Sequence, residues 1–386
     1  MNKSIEGIKD CYGCGVCAII CPKKIISIRL NEDGFYEPHI VDAEKCINCG
    51  LCLNVCAFDK ESVSILPEFD IKSYAAWSLD KQIRYDCSSG GIGFEVGSFL
   101  IRQGYKACGV KYNAEKKRAE HFIATTVEDF EASKGSKYIP SYTFNAFSKF
   151  NRKDKFFVVG TPCQIDSLRH YIRQQKIEDH FILMDFFCHG VPSMLMWKKY
   201  IEIVEKKTNR KLDNIHWRCK KTGWHDSWAM VVENDSKTDF DYFSLMSKGD
   251  LFYKFFLGNR CLGKACYDNC KYKMLSSAAD IRIGDLWGSV YQKNEEGVSG
   301  VIVLTMQGQQ VIDNISRKIY LEKKNPNIVL EGQMKQAAGC PSNINLIRKQ
   351  MKGQLSLERI DFFLFLDYVV KNMLQIMKNR FKRIFK

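Results

Sequence analysis

Eight cysteines within the first 56 residues carry chemistry that the rest of the chain must serve. Cys11, Cys14, Cys17 and Cys21 precede Pro22, and Cys46, Cys49, Cys52 and Cys56 repeat the spacing, so both runs read C-x2-C-x2-C-x3-C. In such a run three closely spaced thiolates hold three corners of a [4Fe-4S] cubane, and the fourth reaches across to the other cluster. The pattern assigns Cys11, Cys14, Cys17 and Cys56 to one cluster, and Cys46, Cys49, Cys52 and Cys21 to a second. Disulfides suit this spacing poorly in a chain whose start, MNKSIEGIKDCYGCG, lacks an apolar secretory core. Structural zinc favours two separated pairs over a quartet.

Those clusters need a scaffold, and 386 residues suffice for two or three domains. Residues 1–70 carry seven Lys/Arg against eleven Asp/Glu, whereas the whole chain is at +14, so an acidic front precedes a basic body. This suits electron transfer between complementary surfaces; a solvated basic surface with a basic tail explains it equally. No apolar run reaches membrane-spanning length. The expected location is cytoplasmic.

Several elements position the motifs. Ile26, Ile28 and Leu30 alternate before the turn Asn31–Gly34, and Phe35–Val41 returns as the second strand of a hairpin. Val63 and Ile65 suggest a shorter copy after Cys56, at the 35-residue offset that separates Cys11 from Cys46. Pro67–Lys72 reads as a linker, and Tyr74–Trp77 as a strand. Ser88-Ser89-Gly90-Gly91 then opens a helix over Ile92–Arg102, either an anion-binding helix start or an ordinary one. Lys134–Tyr138 is a polar loop. Strand Phe156–Val159 runs through Gly160-Thr161-Pro162-Cys163 into a helix at Ile165–Gln174; strand Phe181–Asp185 runs through Cys188-His189-Gly190 into Met194–Lys206. Both cysteines thus reach one sheet edge, where α/β proteins bind ligands. Further strands are expected at Ile215–Arg218, Ile281–Ile283 and Val301–Thr305, and a helix at Val311–Ile319.

Other residues have two readings. His189 is a proton relay or a satisfied core histidine. Asp280 and Asp285 orient Arg218 or a cofactor, or simply form turns beside glycine. Trp217, Arg218, Lys220, Lys221 and Trp224 form a basic–aromatic group suited to an anionic substrate. Single-stranded nucleic acid would suit it too, but no nucleic-acid module accompanies it, so no nucleic-acid partner is expected. Residues 346–386 hold ten Lys/Arg and three Asp/Glu around an apolar helix from Ile360 to Met377. The basic end, Lys378–Lys386, either docks on an anionic cytoplasmic leaflet as a peripheral membrane contact or is the solvated end of a packed helix.

Taken in order, SSGG (88–91), GSKY (135–138), GTPCQI (160–165), CHGVPS (188–193), W-R-x-K-x-x-G-W (217–224), Cys266/Cys270 and DIRIGDLWG (280–288) resemble the coenzyme F420 hydrogenase/dehydrogenase beta-subunit family, here with a fused two-cluster ferredoxin. The resemblance covers roughly residues 1–330. It implies a flavoprotein in which Ser89, Gly90, Gly91, Ser136, Lys137 and Tyr138 hold FAD, with Thr161 and Pro162 beside it. It also implies a third [4Fe-4S] cluster, with Cys163, Cys188, Cys266 and Cys270 as ligands. The family's C-x2-C is C-x3-C here, and Cys261 offers a competing thiol; Ala57 stands where proline usually follows the fourth cysteine.

The expected fold is α+β and α/β: a bacterial 2[4Fe-4S] ferredoxin-like domain (1–66), an α/β flavin-binding domain (67–345, in parts 73–155 and 156–345) and a basic C-terminal helix (346–386). The expected activity is electron transfer between the clusters and FAD, with hydride transfer to or from an anionic organic substrate. His189 is the candidate catalytic residue, and Trp217, Arg218, Lys220 and Trp224 are the candidate substrate contacts. The partner is a redox donor or acceptor protein, or a reduced carrier. The alternative is a non-catalytic electron-transfer subunit of a hydrogenase or dehydrogenase complex.

Overall fold

The computed structural model describes residues 4–234, 239–268 and 270–384, with side chains throughout except at residues 372 and 375–384. The first unit is a hairpin, β1 (Ile26–Leu30) against β2 (Tyr36–Ile40), whose register pairs Ile28 with Pro38 and Leu30 with Tyr36. Ile26 and Ile28 face inward, as period-2 patterning requires, while Leu30 at the strand end is exposed. The expected second copy does not form: residues 61–71 contain no strand. Ser64 instead donates its backbone N–H to Asp166 (3.0 Å) and meets His170 with its hydroxyl (3.1 Å), and Ile65 is exposed. Bonds to the neighbouring unit replace the local pairing that a hairpin needs.

The body is built on one mixed sheet. Its strands in chain order are β3 (Lys72–Ser78), β4 (Lys106–Asn113), β5 (Arg118–Ala124), β6 (Ser141–Tyr142), β7 (Phe156–Val159) and β8 (Phe181–Phe186). After β9 (Ile215–His216), β10 (Ala229–Glu233) and β11 (Phe240–Leu245), which form a separate three-stranded sheet, come β12 (Ile281–Asp285), β13 (Ser299–Val303) and β14 (Ile319–Lys323). The nine-stranded order is β14-β3-β13-β12-β8-β7-β4-β5-β6, with β12, β8, β7 and β4 parallel at its centre. Buried on both faces, β7 and β8 read as continuous apolar runs. The one charge of β8, Asp185 near its carboxyl end, is fully buried and paired at 2.7 Å with both Nε and Nη2 of Arg282. A buried charge is tolerated only when matched in this way.

Helices Ile92–Arg102 and Met306–Asn314 cover one face through Phe157, Met184 and Val301. On the opposite face, helix Pro162–Gln174 and the N-terminal unit cover Phe156, Val158 and Leu183; Val16, Ile26 and Ile28 share that core with Ile165 and Leu168. The cluster-bearing unit is therefore packed into the body through a common core.

Several boundaries differ from expectation. The helix expected at Ile165 begins at Pro162, with a Thr161/Gln164 capping box, because proline at the first helical position loses nothing. The helix expected over Val311–Ile319 is Met306–Asn314, capped by Thr305, and Ile319 opens β14. The strand at Ile215 ends after His216. The C-terminal region contains two helices, Ile344–Lys352 and Leu357–Ile384. Ile347, Met351, Leu357, Ile360 and Leu364 are buried with Trp197 and Tyr200 of helix Met194–Thr208, whereas Phe362, Phe363, Phe365 and Leu366 are exposed. The start of this tail is thus packed on the body. The basic end from Lys378 lies outside the described side chains. Among the described residues, no helix is long and apolar enough to cross a membrane.

Candidate functional site

Two small apolar cavities in the N-terminal unit divide its eight cysteines. Cys11, Cys14, Cys17 and Cys56 line one, and Cys46, Cys49, Cys52 and Cys21 line the other. Each fourth cysteine therefore crosses to the opposite group. Equivalent backbone shapes build both nests: Gly15 (φ 75°) and Gly50 (φ 74°) are left-handed residues that start the short helices Val16–Ile20 and Leu51–Asn54. A side chain at Gly13 (φ +65°) would place its Cβ 2.6 Å from the carbonyl oxygen of Tyr36. Glycine is needed there for both conformation and space.

All seventeen cysteines are free thiols. Among the described residues, no three His, Cys, Asp or Glu side chains converge tightly enough for one metal ion. Two nests of four thiols each suit two cubanes, which spread their ligands around a larger body than a single ion does. Burial pushes the Cys56 thiol up to about 12 and raises Cys14 and Cys17 also. Thiolates in such a setting need a cation, so iron binding and folding are coupled.

A much larger cavity, about 450 Å³, opens at the carboxyl ends of β7, β8 and β12. Cys11 and Tyr12 form part of its wall, with Cys163, Cys188 and Cys266 beside them and Ser88, Ser89, Gly91 and Gly93 across it. Cys163 follows β7 in the first turn of helix Pro162–Gln174, and Cys188 follows β8. Cys266 lies on the short helix Lys264–Asp268. Cys270 neighbours Cys188 and Cys266 closely enough for their charges to interact, and Cys14 does the same with Cys163. Burial pushes Cys188 up to about 12 and Cys266 to about 11. The Thr161 hydroxyl lies 3.2 Å from the Cys163 sulfur. Cys261 points elsewhere, into the core with Leu262 and Tyr267.

The two loops across the cavity are joined, since Ser136 donates its backbone N–H to the Ser88 hydroxyl at 2.8 Å. Helix Ile92–Arg102 starts at Gly91 (φ 87°) with no side-chain cap. Gly90 is buried against β3 and β13, and Pro162 is buried in its helix; neither reaches the cavity wall. The Ser89 hydroxyl is spent on the Val298 carbonyl. Lys137 Nζ donates to the carbonyls of Ala132, Lys134 and Gly135 (2.7–3.1 Å), and burial holds its pKa at about 7. The Tyr138 ring stacks on Trp228 at 4.9 Å.

The basic–aromatic group takes another form than the sequence suggested. Trp217 is buried against Trp197 and Tyr112, away from the cavity. Arg218 is clamped by Asp285 (3.0 Å), Tyr138 (3.2 Å) and Ser227 (2.6 Å). Trp224 donates to Asp285 at 2.9 Å and stacks on Trp287, and Lys220 Nζ donates to the carbonyls of Arg84 and Ser89. These side chains brace the cavity loops from behind, because burial forces their polar atoms onto protein partners. Of the two aspartates, Asp285 orients Arg218 and Asp280 pairs with Arg169 at 3.0 Å.

Residues 153–328 match the C-terminal family model of the coenzyme F420 hydrogenase/dehydrogenase beta subunit, and residues 73–148 match its N-terminal counterpart. The chain belongs to that family. Residues 10–60 match a 4Fe-4S dicluster domain, so this F420 hydrogenase/dehydrogenase beta-subunit homologue carries its own iron–sulfur unit. It is 27% identical over 192 residues to the F subunit of the F420H2 dehydrogenase of Methanosarcina mazei, covering 46% of this chain and 53% of that one. With the coenzyme F420-dependent sulfite reductase of Methanocaldococcus jannaschii it shares 27% identity over 164 residues, 41% of this chain and 24% of that one. The N-terminal part resembles the I 2 subunit of the NADH-quinone oxidoreductase of Geobacter metallireducens, at 31% identity over 17% of this chain and 50% of the relative. The chain thus spans about half the length, or less, of these curated relatives. A chain of the F420-reducing [NiFe] hydrogenase complex from Methanosarcina barkeri aligns with a TM-score of 0.48 and 18% identity, over 78% of this chain and 90% of that one.

The cavity of this beta-subunit homologue contains residues that sequence patterns did not single out. His121 on β5 lines it, meets the Val159 carbonyl at 3.1 Å through Nε2, and is held by burial at a pKa of about 4. Its Nδ1 is buried and has no partner among the described residues. A lone histidine in a weakly patterned strand carries no local signal. His189 lies on the cavity wall with Nε2 2.8 Å from Asn259 Oδ1 and its ring edge-on to Phe256, and burial lowers its pKa.

Proposed function

We propose that the chain is an iron–sulfur flavoprotein oxidoreductase that moves electrons between its clusters and FAD held in the large cavity, with hydride transfer to or from an anionic organic substrate. The observation that carries this reading is the shared wall: Cys11 and Tyr12 of the dicluster unit, the Cys163/Cys188/Cys266 group and the glycine-rich helix start all border one space. The size is within the range of cofactor sites, and an uncapped helix start with left-handed Gly91 suits a pyrophosphate. FAD bound there would exchange single electrons with clusters and a hydride with an organic molecule.

The protein's own residues divide the remaining work. Gly91, Ile92 and Gly93 at the helix start would meet the anion, and Tyr138, stacked on Trp228, would offer a flat wall. Cys163, Cys188, Cys266 and Cys270 would hold a third cluster, and the Thr161 hydroxyl beside Cys163 would tune it, since hydrogen bonds to sulfur shift cluster potential. Cys14 of the Cys11 nest neighbours Cys163, so a cluster in that nest would be placed to exchange electrons with the third. His189 is the candidate proton relay; its contact with Asn259 leaves it oriented at the cavity.

Anaerobically prepared protein should contain one flavin and about twelve irons, from four per cubane. Wild-type protein that binds no flavin overturns the flavoprotein reading, and about eight irons removes the third cluster. The second reading, an electron-transfer subunit without a substrate of its own, draws on the Methanosarcina mazei relative being a subunit. Single-turnover oxidation of reduced protein separates the two, by organic acceptors for the first and only by protein acceptors for the second. The exposed apolar side chains of the C-terminal helix support a peripheral contact with anionic lipid. Vesicle co-sedimentation that survives deletion of residues 378–386 would remove that role.

A further inference from the structure

A second cavity of about 420 Å³ lies where the β1–β2 hairpin meets the β4–β5 turn and β6. Its walls include Arg29, Lys116, Arg118, Tyr36, Tyr142 and Asn145, and no carboxylate lines it. Arg118 is already paired with Glu120, so Arg29 and Lys116 carry the charge that an arriving anion would meet. The nearby acids are engaged elsewhere. Glu120 accepts from Arg118 (3.2 Å) and Asn113 (3.0 Å), which hold its carboxyl low against burial. Glu37, opposite Arg29 in the hairpin register, accepts the Asp10 backbone N–H at 2.7 Å. Lys116 lies near enough to Glu120 for their charges to interact, and among the described residues neither it nor Arg29 closes an ion pair.

The aromatic side chains give the groove a second property. Arg118 lies over the Tyr142 ring at 4.1 Å, and the Tyr142 and Tyr36 rings meet at 5.4 Å. Tyr36 also lines the large cavity, so one side chain is a wall of both spaces.

We propose that this groove binds the anionic portion, carboxylate or phosphate, of the organic redox substrate. The proposal rests on the oxidoreductase reading for the word substrate, but the site itself rests on the groove. It takes the place of the Trp217–Trp224 group, whose charges are already committed to the protein. Arg29 and Lys116 are exposed and supply the charge; Arg118, fixed by Glu120 and Tyr142, supplies orientation.

The test uses the full-length protein with two probes, phenyl phosphate and triglutamate, titrated calorimetrically at low and high salt. At least one probe should bind, more weakly as salt rises, and which one binds distinguishes phosphate from carboxylate. Arg29→Glu combined with Lys116→Glu should weaken binding more than tenfold. A control with the same change in net charge, Lys153→Glu with Lys318→Glu at exposed positions off the groove, should stay within twofold. Binding that is absent in flavin-loaded wild type, or equal in both double variants, overturns the proposal. A wild type that binds the probe but carries no flavin overturns the redox reading instead.

Discussion

The two thiol nests of the N-terminal unit share a sequence pattern and a backbone shape, yet they have unlike surroundings. The Cys11 nest is pressed against the body: Cys14 meets Ser167 at 3.3 Å, and Tyr12 packs on Tyr272. The Cys46 nest is lined only by residues up to Cys52, and its Cys49 is exposed. Spacing alone therefore sets which sulfurs converge, while tertiary packing sets solvent access. A buried cluster resists the extra negative charge of reduction, because low dielectric disfavours the more highly charged form. The nest nearer the cavity should thus be the harder to reduce, and the outer one the point of exchange with a protein partner.

The widest test of this contrast removes what the inner nest faces. Cys163→Ser should lower iron from about twelve to about eight per chain, with both dicluster signals retained in EPR. Loss of a dicluster signal instead would mean that the inner nest depends on Cys163 for its own integrity. Next in size, Gly91→Asp should reduce flavin content at least tenfold by placing a carboxylate at the anion site. Gly91→Asn, which tolerates the left-handed backbone, should retain most of it; equal loss in both would attribute the effect to strain at φ +87°.

Ser167→Ala acts on one nest alone. It removes a hydroxyl that touches Cys14 and accepts the Ala57 N–H at 3.2 Å, at a cost of about 1 kcal/mol in stability. In redox titrations one cluster should shift and the other remain; a shift of both would erase the distinction. The last test concerns His121, whose titration reads on stability and not on either nest. Its pKa, about 4 when folded, lies below the ordinary 6.5, so the unfolded chain binds the extra proton first as pH falls. Stability should be full above about pH 6.5 and decline toward pH 4, by about 3 kcal/mol in all. His121→Phe should flatten that slope in urea unfolding, and an unchanged slope would place the titrating group elsewhere.

What could be read from sequence was local. The doubled cysteine run, the hairpin at Ile26 and the strand–turn–helix at Phe156 each lie within a short stretch of chain, and each appears in the structure. Pro162 and the Thr161/Gln164 box were legible as a helix start, yet the apolar pattern from Ile165 overshadowed them. Strands β4 and β5 mix lysine, glycine and histidine with apolar residues, and their identity comes from pairing with β7 and with each other. The Trp217–Trp224 cluster misled because residue type records what a side chain can bind, whereas burial determines what it does bind. His121 gave no sign at all, its importance depending on a cavity assembled from several strands and loops.

The separation of the cysteines along the chain has a consequence for assembly. The eight of the dicluster unit lie within 46 residues and are complete once Cys56 has been made, so their loops close at little entropic cost. The Cys163, Cys188, Cys266 and Cys270 group is complete only 214 residues later, and strands β12, β13 and β14 of the body sheet follow it in the chain. At about 5–20 residues per second, that is a delay of roughly ten to forty seconds. Iron delivered during synthesis therefore meets the eight cysteines of the dicluster unit first, and metal for the proposed third site must arrive later.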